Sequence, residues 1–383
     1  MRITRREFGR LSSLGGLALL NESPEKDGIS SLVSESDAAK DCTEDTEIPA
    51  EASNISKISD ISKILEEEQG EKDRVSVAIV KTANRAEGIA RAVALLGETD
   101  FGGKEVYLKG SYNSPDPFPA TTHPEALDVM VRMLRGKGAG GVTLVERSGM
   151  GRTRGVLGKL GVLTALKELD VTFRPLDELS AGEWRHFMPA NSHWPKGFAF
   201  PRFLTPDKCI VQLCNLKTHR FGGEFSASMK NSIGLIAKYA AAADSRPAGN
   251  DEKNPGRGWN YMKDLHASPY QEQMIAEANR AYAPEFTVMD AVEVFVEGGP
   301  ERGETASPEI IAASRDRVAL DAVGVAILLY AGARLNILEH VFELAQLRRA
   351  AELKLGVDSS EKIRVVSDDG AGRLLAARLQ SIL

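Results

Sequence analysis

The feature that most restricts the fold is a repeated alternation of short apolar runs with longer stretches of helical spacing. VSVAIV (Val75 to Val80), EVYLK (Glu105 to Lys109) and VTLVE (Val142 to Glu146) are strand-like. Between them, Ala86 to Leu96 and a segment from about Pro124 through Leu134 carry apolar residues at helical intervals. Pro124 suits a first helical turn, with Thr122 or His123 as its cap. Leu157 to Leu169 is a further helix and VTFRPL a fourth strand. CIVQLC, FTVMD, EIIAAS and KIRVVS continue the pattern, with helices expected in DLHASPYQEQMIAEANRAY, around Asp316 and Asp321, and from Arg373. Such alternation predicts an α/β fold, a mainly parallel sheet with helices on both faces, in a single large domain of one or two lobes. Ligands of such sheets sit beyond the carboxyl ends of the strands. Lys109, Asn113, Glu146, Ser148 and the exit of the Cys209 strand are therefore expected on one edge.

The charge is unevenly spread. Of the formal net −6, residues 21–73 carry −11, with sixteen Asp or Glu against five Lys, and residues 1–20 carry +3. Residues 74–383 are left nearly neutral at +2, which speaks against a nucleic-acid surface. Three segments follow. In residues 1–20, Thr4-Arg5-Arg6-Glu7-Phe8 precedes the short apolar stretch Leu11 to Leu20 and matches a twin-arginine signal. Export to the periplasm or cell envelope by that machinery is the expectation; the alternative is a cytoplasmic protein with a short basic amphipathic start. Residues 21–73, acidic, serine-rich and nearly free of aromatics, are expected to form a disordered spacer. Residues 74–383 form the folded domain. No stretch has the ~18 apolar residues of a membrane span. Three cysteines, Cys42, Cys209 and Cys214, are too few for an intrinsic four-cysteine iron–sulfur cluster. Cys209 and Cys214 are five apart, so on one strand they face opposite ways and suit small buried positions.

The densest chemistry lies from Cys209 to Lys238, CIVQLCNLKTHRFGGEFSASMKNSIGLIAK. A buried strand delivers Asn215, Lys217, Thr218, His219 and Arg220, then glycines, then the hydroxyl-rich start of an apolar helix. Cations, close backbone and free N–H groups at a helix start together suit a small anionic ligand. Lys217 and Arg220 are expected to hold the anion, with Ser228, Lys230 and Asn231 joining from the helix side and Lys109, Asn113 and Ser148 from the earlier loops. His219 is the expected general acid/base, beside Lys217, because imidazole titrates near working pH. Glu146 and Asp290 are candidate ligands for a divalent metal. The plainer alternative is an ordinary polar loop, with Ser226 or Ser228 only capping the helix.

Other features carry less. RSGMGRTRG looks like a phosphate loop but satisfies neither the Walker pattern nor GxGxxG. His186 and His193 lack a spaced carboxylate and are expected to be structural. The polar, Gly- and Pro-rich stretch from Ala240 to Asp264 is a lid or a disordered insertion.

The succession VYLKGSYN, TTHPEAL, VTLVERSG, LCNLKTHRFGGEFSASMKNSIGLI, VMDAVEVFVEGGPERGE and AASRDRVALDAVG resembles the family called domain of unknown function 362, over roughly Val75 to Ala333. Its most specific part is Lys217-Thr218-His219 together with Lys230-Asn231. Where that family usually has Lys-Pro-Asn, this chain has Lys109-Gly110-Ser111-Tyr112-Asn113. Where an Asp-Ser often ends the third strand, it has Glu146-Arg147-Ser148. The resemblance implies a shared ligand site and brings no particular reaction. It also implies twin-arginine export, in keeping with Arg5-Arg6, and the ferredoxin-type clusters of some members have no counterpart here.

Three functions follow as expectations. The first is an enzyme acting on a small anionic substrate, metal-assisted or not. The second is a non-catalytic envelope protein that binds an anion or a metal chelate. The third is a redox partner.

Overall fold

The alternation seen in the sequence becomes one eight-stranded sheet. In the computed structural model, which describes residues 74–383 other than 223, 241–257 and 338, β1 (Val75–Lys81) leads through α1 (Arg85–Ala94) to β2 (Glu105–Lys109), and α2 (Pro124–Gly136) leads to β3 (Gly141–Glu146). Two short helices, α3 (Thr153–Lys159) and α4 (Val162–Glu168), precede β4 (Thr172–Pro175). A hairpin of β5 (Trp184–Phe187) and β6 (Phe198–Pro201) then leads to β7 (Cys209–Asn215). The short strands β8 (Lys217–Thr218) and β9 (Phe225–Ser226) flank the next loop, followed by α5 (Ser228–Asn231), α6 (Tyr261–Ala267) and α7 (Gln271–Ala278). β10 (Phe286–Ala291), the hairpin β11 (Val294–Gly298) and β12 (Gly303–Ala306), β13 (Ile310–Ser314) and α8 (Arg317–Tyr330) come next. The chain closes with α9 (Ala345–Glu352), β14 (Ile363–Val366) and α10 (Gly370–Gln380). The expectations for residues 1–20 and 21–73, and for most of the stretch between Ala240 and Asp264, fall outside the described residues.

The sheet order is β14-β1-β13-β10-β7-β2-β3-β4. From β10 to β4 every pairing is parallel, and β1 pairs with β14 in parallel. Only β13, antiparallel to both β1 and β10, runs against the rest. The mainly parallel sheet is as the alternation predicts. Alternate side chains feed two cores. Val106, Leu108, Val211, Leu213 and Val288 pack under α1 to α4. Val77, Ile79, Ile210, Cys214 and Met289 pack under α6 to α10. Helices thus cover both faces. α8 is buried from Arg317 through Leu328, as a helix apolar on all sides must be. Cys209 and Cys214 fall on opposite faces, as their spacing requires.

His123, at the N-cap of α2, accepts the Glu125 N–H with its ring, so the expected cap is present. The helix expected at Leu157 to Leu169 is broken at Gly161, whose φ of +74° lies in the left-handed region that favours glycine. The one expected through DLHASPYQEQMIAEANRAY is split at Ser268, just before Pro269, because the residue ahead of a proline resists the helical region. The described residues lie within one compact unit, Ser62–Leu383. Among them, no helix is long and apolar enough to cross a membrane.

Candidate functional site

Parallel strands bring their carboxyl ends to one edge, and there a cleft of about 710 Å³ opens. Its floor is set by the last residues of β2 and β3. Lys109 is 1% exposed, and its ammonium lies 2.9 Å from each oxygen of the Glu146 carboxylate. The same nitrogen donates to Gly110 O at 2.6 Å and to Asn231 Oδ1 at 3.0 Å, which fills its three donor positions. Glu146 also accepts the Tyr112 N–H at 3.1 Å and the Arg147 N–H at 2.9 Å. Burial pulls the Lys109 amine below its ordinary basicity, against the opposing pull of Glu146.

A short turn packs directly on this pair. α5 lasts one turn and passes into a 3-10 turn, Ser232–Leu235, that carries Gly234. A Cβ on Gly234 would sit 2.7 Å from Glu146 Oε1 and 2.8 Å from Lys109 Nζ, so only glycine allows this approach. Arg147, 3% exposed, fixes the turn by donating to the carbonyls of Ile233 at 2.6 Å and Ile236. Burial lowers its guanidinium to about 10. Nothing in the sequence pattern singles out Arg147. Its one signal is its place between Glu146 and Ser148, where β3 ends at the cleft.

The walls are cationic. Lys217, Lys230, Lys238 and Lys263 line the cleft with His219 and His266, and Glu146, already paired with Lys109, is the one carboxylate among the lining residues. Lys217 is 4% exposed and donates to Ala120 O. Burial, aided by neighbouring Lys109, brings its ammonium down to about 8. The Lys230 amine is withdrawn from water and has no hydrogen-bond partner, and the same is true of Asn231 Nδ2. Burial, with Lys217 nearby and Glu272 opposing, lowers Lys230 to about 7. His219 falls to about 2, from burial first and then from Lys230, Lys217 and His266. It is therefore neutral through the whole working range. His266 is an exposed residue whose ring bonds Met262 O at 2.7 Å, and desolvation of that ring at the cleft lowers it as well.

Several expected residues are engaged elsewhere. Ser148 donates its hydroxyl to Tyr112 O at 2.5 Å and its N–H to Thr153 Oγ1 at 3.0 Å, tying two loops together beneath the surface. Asn113 does line the cleft, and its Oδ1 accepts from Gly149 N at 3.0 Å. Arg220 turns away to the loop after β11, where it binds Gly299 O at 2.6 Å and the Glu301 carboxylate. Ser228 is fully buried against Gln212 at 3.2 Å. The N–H groups that start α5 are not offered to a ligand, because the buried Asp321 carboxylate takes those of Ser228 and Met229 at 2.7 and 3.0 Å. Asp290 shares a face of β10 with Phe286 and Val288, opposite to the face from which Lys109 projects. There it forms a buried 2.8 Å ion pair with Arg85 of α1. The structure thus does not bring Asp290 to Glu146, and among the described residues no three His, Cys, Asp or Glu are grouped to hold a metal ion.

Outside the cleft, His186 bonds Lys196 O at 2.7 Å and His193 bonds the buried Glu277 carboxylate at 2.7 Å, as structural histidines do. Arg154 pairs with Glu178 at 2.8 Å on the surface, and the glycine-bearing loop lines the cleft with Arg147, Gly149 and Met150.

Fold and cleft together define an α/β protein whose strand ends open into a cationic pocket. The chain belongs to the family described as Domain of unknown function (DUF362), whose model matches residues 106–326. That span takes in β2 through most of α8 and leaves β1 outside. The chain is also similar to the thylakoid-associated protein sll1697 of Synechocystis sp., at 24% identity over 204 residues, 53% of this chain and 55% of that one. It thus spans about half the length of the curated relative it matches. Among solved structures, the lactate racemase apoprotein from Thermoanaerobacterium thermosaccharolyticum aligns over 65% of this chain and 56% of its own, with a TM-score of 0.36 and 14% identity.

Proposed function

We propose that the cleft binds a small anion, a carboxylate or a phosphate, and that the protein is an enzyme acting on it with Lys230 as the proton-transfer group. The observation that carries this reading is the Lys230 amine, buried in a cationic wall without a hydrogen-bond partner. A desolvated amine without a partner is costly, and an anion set against it relieves that cost. The orphan amide of Asn231 offers a second donor beside it in sequence. A volume of about 710 Å³ suits a small molecule. An acid/base works best when it titrates near the ambient pH, which favours Lys230 over His219. His219 is then a neutral hydrogen-bonding group, and Lys217 holds charge at the back of the cleft. Among the described residues no ligand set is grouped for a metal, and Glu146 is spent on Lys109 and two backbone amides.

Calorimetric titration of the full chain with inorganic phosphate and with malonate tests this. Wild type binds at least one of the two, and Lys230→Met loses at least about tenfold in affinity, the worth of one charge-assisted contact. Binding that is undiminished in Lys230→Met, or absent from wild type, overturns the reading. The second reading, a non-catalytic binding protein, needs the same groups. It is favoured only if the anion that binds is never converted.

A further inference from the structure

The same amine that draws an anion is also placed to make a bond. The geometry points to Lys230 as a nucleophile that forms an imine with a carbonyl-bearing anion, a 2-oxo acid being the simplest class. This rests on the reading of the cleft as an anion site and adds the substrate's second functional group.

Four observations support it. The terminal nitrogen of Lys230 is withdrawn from water and accepts or donates no hydrogen bond, while the residue as a whole is only half-buried and lines the cleft. An amine that serves only as a fixed charge would be expected to rest on a carboxylate or a carbonyl, as Lys109 and Lys217 do. Second, burial favours the uncharged amine needed for attack, with Lys217 adding to it and the Glu272 carboxylate opposing. Lys217 from β8, His219 just beyond it and His266 from α6 are cationic or neutral, and Glu272 of α7 acts on it from a distance without pairing. Desolvation beside another cation is how lysines are made nucleophilic towards carbonyls. Third, the Asn231 amide has a free donor for the carboxylate of the same molecule. Fourth, Lys217 supplies a proton source in the same cleft, titrating at about 8.

The chemistry balances without any added reagent. The neutral amine adds to the carbonyl carbon, the C–N bond forming as the C=O π bond breaks, and the amine proton passes to the oxygen. A proton from the Lys217 ammonium then lets the hydroxyl leave as one water, giving a protonated imine. No electrons are gained or lost overall, and hydrolysis by the reverse route restores the amine.

Reductive trapping tests this on the full 383-residue chain. Pyruvate or glyoxylate is added with sodium cyanoborohydride near pH 7.5, and the labelled lysines are mapped by peptide mass spectrometry. The expected result is labelling of Lys230 at least about tenfold faster than exposed lysines such as Lys104, with the label lost in Lys230→Arg and slowed by inorganic phosphate. Labelling spread over the surface with no preference for Lys230 overturns the inference. Calorimetry in the same buffer separates the two readings. Phosphate and pyruvate that bind without labelling Lys230 sink the imine alone, whereas failure of both to bind sinks the anion site with it.

Discussion

Replacing Lys230 by methionine should make the ligand-free protein more stable, although it deletes a residue of the candidate site. An amine held at about 7 in the fold, against an ordinary 10.5 when unfolded, resists the protonation that the unfolded chain accepts freely. At 1.36 kcal/mol per unit, the native state is disfavoured by about 4 kcal/mol near neutral pH. Relaxation of the surrounding protein offsets part of this, so about 2 kcal/mol is the working figure. For a domain of this size that is a rise in melting temperature of roughly 3–6 °C. The sign follows from the direction of the shift. A base whose folded value is lowered carries its full penalty below about 7 and loses it as pH rises towards 10.5. The advantage of Lys230→Met should therefore be largest at pH 7 or below and fade by about pH 10.5. Phosphate at a hundredfold excess over its dissociation constant should stabilise wild type by about 2.7 kcal/mol and remove the difference. Differential scanning calorimetry at pH 6, 7, 9 and 10.5 reads all of this. A methionine variant that melts below wild type at pH 7, or a gap that does not change with pH, would show that the amine is satisfied in the folded protein and that the argument from its isolation is wrong.

Two further substitutions separate structure from binding. Glu146→Gln leaves the Lys109 ammonium buried opposite a neutral amide, and should cost about 3–5 kcal/mol in urea denaturation, part of it recovered when Lys109→Met is added. Asp290→Asn breaks the buried pair with Arg85 and should cost a similar amount, about 3 kcal/mol, while phosphate affinity stays within about twofold; a large loss of affinity at unchanged stability would return Asp290 to the site.

Much of the architecture is written in local pattern. The runs ending at Lys109, Glu146 and Cys214 needed only apolar length and the rule that parallel strands present their carboxyl ends together, and the three strands do end at one edge. Strand direction was not written there. IIAAS in β13 has the same composition whichever way it runs, and the hairpin of β11 and β12 before it turns the chain back. The fate of Asp290 was available from parity alone, since it alternates with Phe286 and Val288 onto the face of α1. Arg220 was not readable, because the glutamate that claims it lies 81 residues on. Nor was the brevity of α5. SMKN is followed by residues that would continue a helix, and the turn is tightened by Arg147 and by the need to lay Gly234 against Lys109 and Glu146. His219 drew attention by its type, and its burial among cations then removed the basicity that made it attractive.

The reversed strand β13 has a consequence for biosynthesis. β1 has two neighbours in the sheet, β13 and β14, and both are made long after it, with Lys81 paired to Ile310 and Val75 to Ile363. At about 5–20 residues per second, a ribosome needs roughly 10–45 s after β1 emerges before its first partner exists. Throughout that interval VSVAIVK is an apolar strand with two open edges, the kind of segment that holdase chaperones shield and that otherwise pairs between chains. Synthesis of the last 74 residues, from Ile310 onward, is therefore the step that closes this half of the sheet, and truncation there should leave a nascent chain prone to aggregation rather than a smaller folded protein.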